Sequence, residues 1–363
     1  MHWTSGKMET GLQLARVCSP RGLAAKACHM TQQPHTARRL RTGMLLLAAS
    51  TLIGGLAIAF WLWPKGDAAG STLSLEQIPF DGARAYGYLK QLCAIGPRRS
   101  GSAGMRTQQR LLAEHFQKLG GVVEFQQFRA RDPRDNSWVP MANLVVRWHP
   151  RSAERILLCA HYDTLPYPLE DRTDPHGTFV GANDNASGVA LLMELAHDLL
   201  KLGGKYGVDF VLLDGEEYIF RPREPMYLGA SFFAQQYAKQ QAAEHPAYRY
   251  RWGVLLDMVG AADLKLPIEG NSAWWRETRP LVNEIWSTAA RLGVGEFLPR
   301  KAGEIEDDHI ELYSTGRIPC IDIIQQLDDY PPWHTRQDTP EQCSPLSLAK
   351  VGWVIREWIK TAR

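Results

Sequence analysis

The sequence predicts an α/β protein, with helices packed on a largely buried central sheet. Three observations point there. Four short apolar runs, Arg155–Ala160 (RILLCA), Val208–Leu213 (VDFVLL), Trp252–Met258 (WGVLLDM) and Ile318–Ile324 (IPCIDII), have the length and composition of strands covered on both faces. Segments with helical spacing separate these runs, the pattern of an α/β sandwich. Polar residues gather just past the C-terminal ends of the same runs.

Taken in order, Asp81–Ile95 and Arg106–Leu119 have helical patterning, and the second closes at Gly120–Gly121. Val122–Phe128 and Leu144–Trp148 are predicted strands, followed by the buried run Arg155–Ala160. Ala186–Leu202 carries an apolar helical stripe and stops at Gly203–Gly204. After the strand Val208–Leu213 come a helix at Gly229–Gln240, the strand Trp252–Met258 and a helix at Arg276–Leu292. The strand Ile318–Ile324 and the helix Leu346–Thr361 complete the chain.

The chain has 363 residues, 45% hydrophobic and 22% charged, which excludes a wholly disordered chain and a polytopic membrane protein. Net charge is +2, but residues 1–41 hold seven Lys/Arg against the single acid Glu9, so the rest is mildly acidic. That balance gives no basis for a nucleic-acid partner.

Residues 42–63 form an uncharged run of 22 residues, and about 20 apolar residues cross a bilayer. Arg38, Arg39 and Arg41 precede it and Trp61 and Trp63 end it, as in an anchor whose basic end stays cytoplasmic. The expected organisation is a basic cytoplasmic segment at 1–41, a transmembrane signal anchor at 42–63, a stalk at 64–78 and one catalytic domain at 79–363. The body is then extracytoplasmic, in a periplasm or a secretory-pathway lumen. A cleaved signal peptide with a secreted body is the alternative. Of the six cysteines, Cys93, Cys159, Cys320 and Cys343 lie beyond the anchor, with no zinc-type spacing. Cys159 and Cys320 sit in apolar runs and are expected as buried thiols, while a Cys93–Cys343 bridge stays open.

Chemistry concentrates at the strand ends. RILLCA leads into His161 and Asp163, VDFVLL into Asp214, Glu216 and Glu217, WGVLL into Asp257, and IPCIDII, after a loop, into Trp333-His334. Ligand sites of open α/β sheets form beyond the carboxyl ends of strands. His161, Asp184, Glu217, Asp257 and His334 are the imidazoles and carboxylates that suit zinc. Glu216, next to Glu217, is free to work as an acid/base group. Asp184 lies in GANDNASGVA, just before a helix. Asp163 can orient the His161 ring. Arg98–Arg99 are expected in solvent, and Trp274–Trp275 are packing residues or a pocket rim. No GxSxG, P-loop or GxGxxG occurs.

In order, HYDT, GANDNASGVA, DGEEY, LLDMVG, EDDHI and PPWHT resemble the zinc-dependent aminopeptidase clan of the M28 type over about residues 80–363. Within it the chain looks most like the glutaminyl-peptide cyclotransferases, or glutaminyl cyclases. EDDHI at Glu306–Ile310 resembles the cyclases' acidic motif, Trp precedes the metal His in Trp333-His334, and IFRPREPMYLGAS resembles their longer loop. An N-terminal anchor also resembles the Golgi-type cyclases.

The resemblance implies a three-layer α/β/α sandwich with a mixed sheet. It implies one zinc on Asp184, Glu217 and His334, with Glu216 as proton shuttle. Asp257 and Asp307 would form a hydrogen-bonded acidic pair, and Trp333 would line the pocket. Phe220 would replace the Trp that cyclases carry after the Glu pair, and Asp322 stands where the animal enzymes have His. The substrates would be N-terminal glutaminyl residues of peptides or proteins, cyclised to pyroglutamate with loss of ammonia, by a monomer.

Two alternatives stay open. In a two-zinc aminopeptidase, Asp184 would bridge the ions, His161 and Asp257 would complete one site, and Glu217 and His334 the other. The third reading is a non-catalytic membrane-anchored binding module; separately, Asp307 could be a solvated helix-start residue rather than the partner of Asp257.

Overall fold

Asp81 and Ser102 start the first two helices. The computed structural model describes residues 71–221 and 223–363. Asp81 accepts the Arg84 N–H at 2.8 Å and opens α1 (Gly82–Cys93). Ser102 accepts the Met105 N–H at 3.1 Å, so α2 (Ala103–Lys118) begins before the predicted Arg106. Both are ordinary N-caps. Two antiparallel strands follow, β1 (Val122–Arg131) and β2 (Trp138–Trp148), and both run further than the apolar pattern indicated. β1 is exposed or half-buried throughout, as is β2 at residues 138–140, so neither extension carries a continuous apolar signal.

The remaining elements are β3 (Glu154–His161), α3 (Ser187–Leu199), β4 (Gly207–Leu213), α4 (Leu228–Gln241), β5 (Arg249–Asp257), β6 (Leu266–Ile268), α5 (Gly270–Trp274), α6 (Arg279–Leu292), β7 (Phe297–Lys301), α7 (Asp308–Ser314), β8 (Cys320–Ile324) and α8 (Pro345–Thr361). Every predicted element exists, and apart from β2, which starts six residues earlier than expected, each lies within about three residues of its expected bounds. β6, α5, β7 and α7, each seven residues or fewer, were not legible as periodic patterns.

Six strands form one sheet in the order β1-β2-β4-β3-β5-β8. β4, β3, β5 and β8 run parallel, and β2 joins β4 antiparallel, so the sheet is mixed. Period-two alternation divides its two faces. Ile156, Leu158, Phe210, Leu212, Val254 and Leu256 face α1, α2, α3, α6 and α8. Leu157, Cys159, Val211, Leu213, Leu255 and Cys320 face α4 and α7. The three-layer sandwich is therefore present, and its parallel strands end on the same side.

The other end of the sheet holds a fully satisfied charge pair. Arg155, 1% exposed, donates to Asp209 and to the carbonyls of Trp148 and His149. The Tyr250 hydroxyl donates to the second Asp209 oxygen at 2.6 Å. Buried ions persist when paired and hydrogen-bonded in this way.

Part of the expected stalk belongs to the body. Ser71 donates its N–H and its hydroxyl to Glu296, both at 3.1 Å, and Lys350 Nζ holds the same carboxylate at 2.6 Å. Leu73 and Leu75 pack on the core and Ile78 is buried. The Gly/Ser/Ala composition concealed these anchors. Cys93, Cys159, Cys320 and Cys343 are buried free thiols, so the Cys93–Cys343 bridge is not formed. Among the described residues no helix is long and apolar enough to cross a membrane. The segment 1–41, the anchor at 42–63 and the start of the stalk lie outside the described residues.

Candidate active site

Four parallel strands deliver the site. β3 ends at His161 and β5 at Asp257, both buried. Beyond β4, Gly215 turns the chain at φ +80° and presents Glu216 and Glu217. A left-handed turn of this kind favours glycine. Beyond β8, a loop returns with Trp333 and His334.

Asp184 comes from the irregular turn Ala182–Ala186 ahead of α3, next to a cis Asp184–Asn185 bond. Its neighbours anchor it to the end of β5. Asn183 Oδ1 accepts the Gly260 N–H at 2.8 Å and Asn185 Nδ2 donates to the Leu256 carbonyl at 2.9 Å. A Cβ at Gly188 would stand 2.2 Å from the Leu256 oxygen. That glycine lets α3 approach β5 closely.

These elements bring all five strand-end candidates together. His161 Nε2 lies 3.0 Å from Asp184 Oδ1 and 3.5 Å from Asp257 Oδ1. His334 Nε2 lies 3.4 Å from Asp184 Oδ2 and 2.9 Å from Glu217 Oε1. The two Asp184 oxygens thus face different imidazoles. His161, Asp184 and Glu217 also offer ligand atoms that all fall within 4.8 Å of one another. Ligands about 2.1 Å from a tetrahedral ion stand roughly 3.4 Å apart, and His334 Nε2 lies at 3.4 Å from Asp184 and 2.9 Å from Glu217.

The polar atoms here are poorly satisfied. Glu217 Oε2 accepts the Leu165 N–H at 2.9 Å, but Oε1 has no aligned donor. His161 Nδ1, Asp257 Oδ1 and Asp307 Oδ2 are also buried without partners. At the opposite end of the sheet the Arg155–Asp209 pair meets its needs internally. Orphaned donors and acceptors of mixed imidazole and carboxylate type are what a divalent cation would satisfy.

The electrostatics fit that reading. Burial works against a charged His334, yet Asp184 and Glu217 outweigh it and raise the imidazole to about 9. Burial, reinforced by Asp184, pushes Glu217 up to about 8. For Asp184, burial is outweighed by His161 and His334, which hold its carboxyl below the usual range. Excess protons thus offset the crowded carboxylates, and a metal ion would displace them.

Glu216 sits beside the ligands. Burial drives its carboxyl well above the usual range, with His161 opposing and Glu217, Asp307 and Asp308 reinforcing. Its Oε2 is 4.0 Å from His161 Nδ1. Asp163, expected to orient His161, lies 3.8 Å from that ring nitrogen. It instead accepts the N–H groups of Glu216 at 3.1 Å and Glu217 at 3.2 Å, fixing the turn that carries both glutamates.

Asp307 opens α7, as a helix-start residue would, accepting the Asp308 N–H at 2.6 Å. It is buried rather than solvated, and the neighbouring Asp257 carboxylate acts on it electrostatically. Burial, then Asp257 and Asp308, raise its carboxyl well above the usual range, so one proton can serve the pair.

Trp333 stacks on His334 with ring centroids 3.8 Å apart. Phe220 packs against Tyr218 at 5.3 Å and under the Arg134 guanidinium at 4.1 Å. Trp275 stacks on Tyr313 and Trp274 is 70% exposed. Arg98, expected in solvent, is buried.

The sequence reading passed over several groups. Asp308 is fully buried with neither oxygen partnered. His309 is fully buried, with Nε2 3.3 Å from Glu269 and Nδ1 4.0 Å from Asp322. The Tyr227 hydroxyl donates to the Glu306 carbonyl at 2.8 Å. Asp322, the acid that the sequence reading places where the animal enzymes have His, faces His309 in this cluster.

Comparison with known proteins agrees with this geometry. The Peptidase family M28 profile matches residues 143–359. The chain is 27% identical to the mouse (Mus musculus) glutaminyl-peptide cyclotransferase-like protein, over 80% of this chain and 78% of the relative. It is similar to a crystal structure of Fimbriiglobus ruber glutaminyl cyclase, with TM-score 0.74 and 37% identity, covering 83% of this chain and 100% of that one. A Zn-dependent exopeptidase from Parabacteroides distasonis aligns with TM-score 0.70 and 30% identity, covering 78% of this chain and 99% of that one. With the profile spanning more than half the chain and a glutaminyl cyclase matched over its whole length, the chain belongs to peptidase family M28 and, within it, to the glutaminyl cyclases.

Proposed function

We propose that the protein cyclises N-terminal glutaminyl residues of peptides or proteins to pyroglutamate, releasing ammonia. Asp184, Glu217 and His334 would hold one zinc ion. When bound, zinc would polarise the side-chain carbonyl of the glutamine and leave a position open for it.

The chain's own groups supply the rest. The substrate α-amine attacks its own side-chain carbonyl carbon, forming the ring C–N bond. The bond to the amide nitrogen then breaks. Glu216 takes a proton from the amine and returns it to the departing ammonia, so no net proton is gained or lost. An elevated carboxyl favours the donating half of that cycle. Intramolecular attack needs mainly positioning and charge stabilisation. Asp257 and Asp307 would orient Glu216 or the leaving group, and Trp333 would provide an apolar wall.

The observation that carries this reading is the convergence of His334 Nε2 on Asp184 Oδ2 at 3.4 Å and on Glu217 Oε1 at 2.9 Å, with Glu216 beside them. Burial pushes the carboxyls of Asp257 and Asp307 upward, and a protonated carboxyl is a weak metal ligand, which favours one ion over two. The hydrolytic two-zinc reading draws on His161, 3.0 Å from Asp184 and 3.5 Å from Asp257. In that case Asp184 would bridge two ions and Glu216 would activate water.

We further propose that residues 42–63 anchor a monomer, with its body on the extracytoplasmic side, or that this segment is cleaved and the body secreted. Mass spectrometry of a glutaminyl peptide incubated with the full-length protein tests the chemistry. The expected product is the intact peptide less ammonia. Release of free glutamine would overturn the reading in favour of the aminopeptidase.

A further inference from the structure

Asp338 follows His334 by four residues and is completely buried. Its Oδ1 accepts the Asn183 N–H at 2.8 Å and the Tyr330 hydroxyl at 2.7 Å. Its Oδ2 accepts the Asp184 N–H at 3.1 Å. Its own carbonyl accepts the Ala182 N–H at 3.3 Å. One residue of the His334 segment therefore grips three successive amides of the segment that carries Asp184.

Arg98 holds the front of the same turn. Its guanidinium donates to the carbonyls of Val180 at 2.8 Å and Gly181 at 2.9 Å. The turn is thus pulled by its carbonyls from one side and by its N–H groups from the other. Asp338 thus fixes the peptide plane before Asp184, and the Asn185 side chain, bonded to the Leu256 carbonyl at 2.9 Å and the Gly188 N–H at 2.9 Å, holds the residue after it. Held so, Asp184 sends one oxygen toward His161 and the other toward His334.

We infer that Asp338 is a positioning residue for the metal site. It sets the aim of Asp184, couples that ligand to His334, and adds negative charge behind the cation. The inference rests on the reading of Asp184, Glu217 and His334 as metal ligands. A carboxylate is the side chain for this task because both oxygens accept. An amide would put an NH₂ group against a backbone N–H, losing one bond as well as the charge. Partners behind metal ligands commonly tune affinity by about 10–100-fold.

The test measures zinc affinity of the chelator-stripped full-length chain by competition with a chromophoric chelator. The visible spectrum of the cobalt(II)-loaded protein reports ligand geometry. Asp338→Asn is expected to bind zinc about 10–100-fold more weakly and to shift the cobalt bands, with Tyr330→Phe close to wild type. A purely structural Asp338 would alter the melting of the metal-free protein and leave zinc affinity and the cobalt spectrum unchanged, which would overturn the inference. If Asp338→Asn does not fold, Asp338→Glu decides: it keeps the charge on a longer arm, and wild-type affinity there would also overturn it. Failure of the wild-type chain to bind zinc would instead overturn the metal reading beneath it.

Discussion

His334 Nε2 stands 2.9 Å from Glu217 Oε1, although one residue arrives from the loop after β8 and the other from the turn after β4. The oxygen has no aligned donor despite that proximity. Two groups held close without a hydrogen bond between them are arranged for a third party. His334→Ala should therefore lose bound zinc and glutaminyl cyclisation together. Metal analysis of the purified variant checks this, and full activity in it would remove His334 from the site.

Glu216 and Glu217 are adjacent, yet the turn gives them different work. Glu217 meets the ligand cluster, and Glu216 lies beside it with its backbone N–H fixed by Asp163. Glu216→Gln is expected to lower turnover by about 10²–10⁴-fold while zinc content is unchanged. Ammonia release and metal content on one sample separate the two effects. Loss of zinc would mean that the roles of the two glutamates are exchanged.

Asp257 distinguishes one ion from two. If it shares a proton with Asp307, Asp257→Asn should keep the full zinc content and reduce kcat more than KM. If it ligates a second ion, the same variant should drop by about one zinc per chain. Equilibrium dialysis followed by metal analysis reads the difference.

Asp214 makes a prediction about stability. Burial, then the Asp163 charge, pushes its carboxyl up to about 8 from 3.8. Ser100 donates to one of its oxygens at 2.7 Å and the Ala142 N–H to the other at 2.9 Å. A carboxyl raised on folding contributes stability that is complete below its unfolded value and is lost as pH rises through its folded one. Between pH 4 and 8, stability of the metal-free protein should fall more steeply in wild type than in Asp214→Asn, by several kcal/mol. Urea unfolding across that range checks it, and parallel curves would contradict it. Asn fits the site, because its oxygen can accept from Ala142 while its NH₂ faces Ser100.

Much of this was legible before any coordinates. The four buried strands announce themselves because both faces are covered, so apolar residues run without interruption. The ligands are legible because a parallel sheet delivers its strand ends to one place, and His161, Glu217 and Asp257 each follow such a run. What escaped depends on contacts between distant segments. Nothing in RRSG shows that Arg98 turns inward to hold the Val180 and Gly181 carbonyls. Nothing in HYD shows that Asp163 serves Glu216 and Glu217 rather than His161. Ser71 and Leu73 read as linker because the Glu296–Lys350 pair that receives Ser71 is remote in sequence. The short α7, which seats Asp307, Asp308 and His309, is too brief for periodicity to reveal.

The central claim is that one divalent ion, held by Asp184, Glu217 and His334, supports cyclisation of an N-terminal glutamine. Zinc titrated into the chelator-stripped full-length protein, with ammonia release from a glutaminyl peptide followed at each step, tests it most directly. Activity should return in proportion to added zinc and level off at about one ion per chain. Recovery only at two ions per chain, or ammonia release undiminished in the stripped protein, would contradict it.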